Sequence, residues 1–93
     1  MTDQLGFDGK VAIITGAGGG LGRQHALMLA ARGAKVVIAD LNEEAGTALA
    51  DEIGGAFAQV DVTNTDEIVE AVEMAKSMGP VRVLVNSAGI GWA

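Results

Sequence analysis

Glycines crowd residues 15–22, "TGAGGGLG", directly after the apolar run "VAII" at residues 11–14. Glycine carries no side chain and permits positive φ, so a bulky charged group can approach such a backbone closely. If a helix begins here, its unpaired N–H groups and the positive end of its dipole favour an anion such as a phosphate. The stretch therefore predicts a phosphate-binding loop, and a strand-to-helix turn without a ligand is the alternative.

The spacing of these glycines distinguishes between kinds of phosphate loop. A P-loop ends in Gly-Lys-Ser/Thr, and no lysine lies between Lys10 and Lys35. The G-x-G-x-x-G pattern would require glycine at Leu21 or at Arg23. The pattern that fits is T-G-x-x-x-G-x-G, whose fixed positions are Thr15, Gly16, Gly20 and Gly22.

An acidic residue, Asp40, ends the second apolar run, "KVVIAD", 18 positions after Gly22. A carboxylate at the end of a second strand can accept hydrogen bonds from both hydroxyls of an adenosine ribose, and it repels a 2′-phosphate. Leu41 and Gly19 are uncharged and offer such a phosphate no counter-charge. Asp40 therefore predicts NAD rather than NADP. Helix capping is its alternative role, although Asn42 is the better-placed cap.

Four short apolar runs alternate with segments of helical periodicity, which predicts the order β-α-β-α-β-α-β. The predicted strands are residues 11–15, 36–39, 56–60 and 81–85. Strands that alternate with helices form parallel sheets covered by helices on both faces. The chain is therefore predicted to be α/β, with a Rossmann-like doubly wound parallel sheet in the order 3-2-1-4 and the loop at its carboxyl edge.

Caps and breakers delimit the three predicted helices. The first covers residues 21–31 and ends at Gly33, while Asn42 caps the second, which ends near Gly54. Either Thr63 or Thr65 is expected to cap the third. The apolar positions predicted to pack are Leu21, Ala26, Leu29 and Ala30 of the first helix and Ile68, Val72 and Ala75 of the third.

Composition argues against several classes of function. The net charge of −6 disfavours nucleic acid and anionic membrane surfaces, and no apolar run has the length of a membrane span or signal peptide. The absence of cysteine excludes disulfides, a thiol nucleophile and cysteine-based zinc sites, and no metal site is assigned. We therefore expect a cytoplasmic protein whose partner is a small molecule.

Four signatures together resemble the classical short-chain dehydrogenases/reductases. They are residues 15–22, the acid Asp40, the pair Asp61-Val62, and "NSAG" at residues 86–89, where Ser87 replaces the usual asparagine. The resemblance covers essentially the whole chain. It implies a homo-oligomeric, NAD-dependent enzyme that interconverts a secondary alcohol and a ketone by hydride transfer. Within the family, "VRVLVNSAGI" is similar to the type II 3-hydroxyacyl-CoA dehydrogenase branch, which implies a 3-hydroxyacyl-CoA substrate.

The resemblance also implies which residues bind the cofactor. Asp40, with Leu41 beside it, would bind the adenosine ribose, and Asp61, with Val62 beside it, would accept from the adenine amino group. The remaining implied contacts are Gly16, Gly20, Leu21 and Gly22 at the pyrophosphate, and Asn86, Ala88 and Gly89 beside the adenosine. From the residues alone, Asp61 could instead cap the third helix, and residues 86–87 could form an ordinary turn. Thr15 is expected to hold the loop through its hydroxyl.

The family's catalytic residues are not found among these 93 residues. The family uses a serine and a Tyr-x-x-x-Lys downstream of the NSAG segment, whereas this chain has no tyrosine, and neither Ser77 nor Ser87 fits the position. His25, the single histidine, has no catalytic partner in register, so no catalytic residue is assigned. We expect residues 1–93 to be the NAD-binding portion of a longer single-domain enzyme and to be inactive alone. A stand-alone, non-catalytic nucleotide-binding module is the alternative.

Overall fold

Strands and helices alternate through the structure, a computed structural model that describes residues 8–16, 20–61 and 63–86. The elements are β1 (Val11–Thr15), α1 (Gly20–Ala31), β2 (Lys35–Asp40), α2 (Glu43–Ile53), β3 (Ala56–Gln59), α3 (Thr65–Met78) and β4 (Val81–Asn86). The predicted order of elements is confirmed, and the predicted strand bounds differ by one residue at some ends.

The four strands form one parallel sheet in the order β3-β2-β1-β4. In its central strand, Ile14 pairs with Ile38 on one side and with Val85 on the other. The chain winds outward from β1 through β2 to β3 and then returns to the opposite side of β1. In doubly wound sheets such a reversal opens a crevice at the carboxyl ends of the strands, and ligands bind there. The loop after β1 begins at this crevice.

The core lies on both faces of the sheet, as the continuous apolar strands predict. One buried cluster joins α1 and α2 to the sheet and contains Ala12, Ile14, Ala26, Leu29, Val36, Ile38, Leu49 and Ala50. The other joins α3 to the opposite face and contains Val11, Ile13, Val37, Ala39, Val60, Ala71 and Ala75. Alternate residues of β1 and β2 enter opposite clusters because successive strand side chains point to opposite faces. The doubly wound arrangement is therefore confirmed.

The caps of α2 agree with the prediction, whereas the cap of α3 does not. Asn42 accepts a hydrogen bond from the N–H of Ala45 at 3.0 Å, and Gly54 ends α2 at φ +70°. For α3, the N-cap is Asn64, neither Thr63 nor Thr65. The Asn64 side chain accepts from a backbone N–H at 3.3 Å, while the Thr63 hydroxyl bonds elsewhere. The prediction was wrong because it passed over Asn64, although asparagine is preferred to threonine as an N-cap.

Two large apolar residues predicted to pack are exposed. Leu21 is 66% exposed and Ile68 is 38% exposed, and each lies near the start of its helix. The predicted positions Ala26, Leu29 and Ala75 are buried, which confirms them, and the small residues Gly22 and Ala71 are buried as well. Small side chains let a helix approach the sheet closely, and the register of that contact, rather than hydrophobicity, decides which residues are buried.

The outer edge of β4 leads to a first prediction. Within the described part of the chain β4 pairs with β1 alone, Leu84 is 68% exposed, and Arg82 is its one charged residue. Edge strands present unpaired N–H and C=O groups to other chains. We therefore expect the purified 93-residue chain to self-associate, and sedimentation velocity should show a sedimentation coefficient that rises with concentration.

Leu84→Lys should shift this equilibrium toward monomer, because like charges would face each other across paired edges. Leu41→Lys is the matched control, since Leu41 is 63% exposed but follows β2 in the interior of the sheet. A wild-type chain that stays monomeric at all concentrations would contradict the prediction.

Candidate functional site

The loop after β1 is anchored to both neighbouring strands. The Thr15 hydroxyl donates to the carbonyl of Val85 in β4 at 3.4 Å. The N–H of Gly16 donates to the carbonyl of Ala39 in β2 at 3.2 Å, and Gly16 adopts φ +66°, a conformation that favours glycine. Thr15 therefore has a holding role, as expected. Residues 17–19 lie outside the described residues.

The N-terminus of α1 lies within the glycine-rich stretch. Gly20 is its first residue, and a Cβ added there would meet no atom of the other described residues within 4 Å, the backbone of its own helix aside. The first turn of α1 contains no acidic residue, whereas α2 and α3 carry acids in their first turns and asparagine caps before them. Leu21 is exposed beside Gly20, while Gly22 is buried. This arrangement suits an anionic group, because the N–H groups and the dipole attract negative charge.

Asp40 is the last residue of β2 and is partly buried. Its Oδ1 accepts a hydrogen bond from the N–H of Asn42 at 3.0 Å, which leaves the capping of α2 to Asn42. Two hydrogen bonds connect the turn that follows to the end of β3. Gln59 Nε2 donates to the carbonyl of Leu41 at 3.2 Å, and the N–H of Val60 donates to the carbonyl of Asp40 at 3.1 Å. These hydrogen bonds therefore fix the backbone at Asp40 and Leu41.

Asp61 follows β3 and is held by α3. Its Oδ1 accepts from the N–H of Thr63 at 2.9 Å and from the Thr63 hydroxyl at 2.6 Å. These bonds, the hydroxyl bond foremost, lower the pKa of the Asp61 carboxyl below its usual value. The N–H of Asp61 donates to Glu67 Oε1 at 2.8 Å. Asp61 is thus an ionised hydrogen-bond acceptor and does not cap α3.

The parallel sheet brings the predicted residues to one edge. Thr15 pairs with Ala39 and with Asn86, and Asp40 pairs with Gln59, so the strands end side by side. Gly16, Asp40 and Asp61 accordingly follow or end three adjacent strands at their carboxyl ends. Of the other predicted contacts, Val62, Ala88 and Gly89 lie outside the described residues, as does Ser87, and their roles stay predictions.

The sequence analysis did not predict the supporting roles of three residues, Gln59, Glu67 and Thr63, the last of which was expected to cap α3. The sequence signals for Thr63 and Glu67 are weak. Residues 61–63 form a D-x-T pattern, which favours a local side-chain turn, and residues 64–67 form an N-x-x-E pattern, which resembles a capping box, but neither pattern shows which group the side chain will bond. Arg23, which neighbours the loop in sequence, forms an ion pair with Glu52 of α2 at 2.6 Å. Both side chains are nearly half exposed, so the pair contributes little to stability.

The described ranges lack two further kinds of feature. Across residues 8–16, 20–61 and 63–86, no group of three or more His, Cys, Asp or Glu side chains is arranged to hold a metal ion. Within the same ranges, none of the helices has the length and apolar character needed to cross a membrane. A cytoplasmic location stays a prediction.

Comparisons with known proteins agree with this geometry. The chain is 45% identical over 96 residues to 7alpha-hydroxysteroid dehydrogenase of Escherichia coli K12, covering 97% of this chain and 38% of that protein. Among solved structures, 3-hydroxyacyl-CoA dehydrogenase type-2 from Mycobacterium avium aligns with a TM-score of 0.84 at 43% identity, covering 90% of this chain and 34% of the other.

A second solved structure carries a bound cofactor. A 7 alpha-hydroxysteroid dehydrogenase in complex with NADH and 7-oxo glycochenodeoxycholic acid aligns with a TM-score of 0.83 at 40% identity, covering 92% of this chain and 36% of that chain. This chain thus spans a little over a third of the length of such relatives. The nicotinamide cofactor predicted from the sequence is confirmed as that of the family.

The family profile described as short chain dehydrogenase matches residues 10–93, nearly the whole chain. The motifs, the doubly wound sheet and these matches agree, and the chain belongs to the short-chain dehydrogenase family.

Proposed function

We propose that the chain is the NAD-binding part of an oxidoreductase that interconverts a secondary alcohol and a ketone by hydride transfer. The observation that carries the proposal is the placement of Asp40 at the end of β2, on the same edge as the N-terminus of α1. The cofactor would supply the hydride donor or acceptor, and this chain would bind and orient it.

The glycine loop and the start of α1 would hold the pyrophosphate. Gly16, Gly20 and Gly22 provide the backbone, and Leu21 lies exposed beside them. The open space at Gly20 supports this assignment, because a pyrophosphate needs close access to the helix N–H groups. The first turn of α1 itself carries no acidic side chain that would repel the anion.

The adenosine would lie across the ends of β2 and β3. Asp40 would accept from the ribose hydroxyls, and the exposed Leu41 side chain would lie beside the adenosine. Asp61 would accept from the adenine amino group, with Val62 beside it. The pairing of β2 with β3 supports the assignment of the ribose to Asp40 and the adenine to Asp61. Asn86, at the end of β4, would lie near the adenosine with Ala88 and Gly89.

The substrate class that we propose is a 3-hydroxyacyl-CoA. The segment "VRVLVNSAGI" and the likeness to 3-hydroxyacyl-CoA dehydrogenase type-2 support it. The whole enzyme would be a homo-oligomer. The absence of tyrosine favours a second candidate for the isolated polypeptide, a non-catalytic nucleotide-binding module, and the activity assay considered in the Discussion separates the two.

The test of this proposal is the preference for NADH over NADPH. We expect the wild-type chain to bind NADH about a hundredfold more tightly, equivalent to about 2.7 kcal/mol, because the Asp40 carboxylate repels a 2′-phosphate. Asp40→Asn removes the charge but keeps an oxygen that can accept from the N–H of Asn42. This variant should bring the two affinities within a few-fold of each other, as isothermal titration calorimetry would measure.

Asp51→Asn is the matched control, because Asp51 is an exposed acid in the last turn of α2, whereas Asp40 precedes the first turn of that helix. It should keep the preference of the wild type. Equal affinity of the wild-type chain for both cofactors would refute the assignment of Asp40, as would an unchanged preference in Asp40→Asn.

A further inference from the structure

We propose that Thr63 is a positioning residue that presents the Asp61 carboxylate to the 6-amino group of adenine and thereby determines which purine base the site accepts. This inference deepens the proposed function and rests on it. Thr63 would act through Asp61, and its effect would appear as a change in base selectivity.

The two hydrogen bonds from Thr63 end on the same oxygen of Asp61. Its N–H reaches Oδ1 at 2.9 Å and its hydroxyl reaches Oδ1 at 2.6 Å. Among the described residues no side chain or backbone group donates to Oδ2. A carboxylate held through one oxygen by two donors has a restricted rotation, and its second oxygen keeps its full capacity to accept.

The backbone of Asp61 is fixed independently of its side chain. Its N–H donates to Glu67 Oε1 at 2.8 Å, and Glu67 Oε2 accepts from Asn64 Nδ2 at 3.4 Å. The first turn of α3 thus holds the main chain of Asp61, while Thr63 holds the carboxylate. Removing the hydroxyl of Thr63 would therefore loosen the carboxylate without releasing the backbone.

An ionised carboxylate can only accept hydrogen bonds, which makes it selective between purines. Adenine presents a 6-amino donor to Asp61, whereas hypoxanthine presents a 6-oxo acceptor at the same position and would face the carboxylate with like partial charge. The lowered pKa of Asp61 supports this, because the carboxyl stays deprotonated near neutral pH. A carboxylate that rotates freely could turn away from the 6-oxo group and would discriminate less.

The experiment compares NADH with its reduced hypoxanthine analogue, nicotinamide hypoxanthine dinucleotide. Dissociation constants for both are measured by fluorescence titration on the 93-residue chain. We expect the wild type to favour NADH about tenfold, at the low end of what one hydrogen bond to a charged group contributes. Thr63→Val, which keeps the shape of the side chain and removes the hydroxyl, should reduce the ratio to about twofold.

Two variants complete the design. Thr63→Ser retains the hydroxyl and should restore the ratio of the wild type, and Thr47→Val, an exposed threonine in α2, should leave it unchanged. Thermal unfolding followed by circular dichroism reports whether each variant is folded. The ratio is the informative readout, because a purely structural role of Thr63 would weaken both ligands equally.

The outcomes separate this inference from the proposed function. If the wild type binds neither dinucleotide, the proposed function fails. If it binds NADH but does not discriminate against the hypoxanthine analogue, or if Thr63→Val keeps the full ratio or weakens both ligands equally, Thr63 has no positioning role and NAD binding stands. Should Thr63→Val not fold, a ratio in Thr63→Ser that departs from the wild type would overturn the inference, and a ratio that matches it would support it.

Discussion

Replacing Gly20 by valine should abolish NADH binding and leave the fold intact. Gly20 begins α1 without positive φ, and an added Cβ would meet no atom within 4 Å in the described part of the chain beyond its own helix, so there is room for a larger residue. Valine also has a better helix propensity than glycine. Its methyl groups would occupy the space through which a pyrophosphate reaches the helix N–H groups. We expect the dissociation constant for NADH to rise by at least about a hundredfold, equivalent to about 2.7 kcal/mol.

The matched control is Ala31→Val at the opposite end of the same helix. Ala31 is exposed and lies eleven residues from Gly20, about 16 Å along the helix axis. Both variants should keep the far-ultraviolet circular dichroism of the wild type, and only Gly20→Val should lose the fluorescence change of bound NADH. Binding by Gly20→Val within a few-fold of the wild type would show that the pyrophosphate lies elsewhere.

The 93-residue chain should turn over no ketone, even when it is saturated with NADH. Hydride addition to a carbonyl leaves an alkoxide, which needs a proton as its charge develops. General acid catalysis of this step contributes roughly 10²–10⁴-fold, and positioning of the substrate contributes more. The family uses a tyrosine with a neighbouring lysine for this purpose, and the chain contains no tyrosine.

The assay follows the absorbance of NADH with acetoacetyl-CoA and with simple ketones as substrates. Binding of NADH is first confirmed by fluorescence, so that an inactive sample is known to be loaded. His25→Ala is the informative variant, because His25 is the one histidine of the chain and lies in α1. Turnover by the wild-type chain that His25→Ala abolishes would contradict the prediction and make His25 a proton donor.

Much of the fold was predictable from local patterns. The runs at β1 and β2 are apolar without alternation because both faces of a central parallel strand are covered. Connections between parallel strands are right-handed, which leaves few possible strand orders. The loop at residues 15–22 and the acid Asp40 were also identifiable, since a bare backbone and a carboxylate at a strand end are local properties of the sequence. The sequence by itself thus determined the sheet and the two main anchors proposed for the cofactor.

The tertiary structure decided which residues are buried and which side chains are hydrogen-bonded to each other. Leu21 and Ile68 have the hydrophobicity of core residues but lie outside the contact between helix and sheet, whereas the small Gly22 and Ala71 lie within it. Hydrophobic periodicity marks the apolar face of a helix, but the approach of that face to the sheet depends on atoms distant in the sequence.

The choice of Asn64 as the cap of α3 combines residue preference with tertiary contacts. Asparagine is preferred to threonine as an N-cap, and the carboxylate of Asp61 engages both the N–H and the hydroxyl of Thr63. Glu67 then reaches back to the N–H of Asp61. Each of these bonds depends on where β3 ends relative to α3. Residue types and spacing therefore identified the acids of the site, and only the packing of α3 against the sheet determined how Asp61 is held.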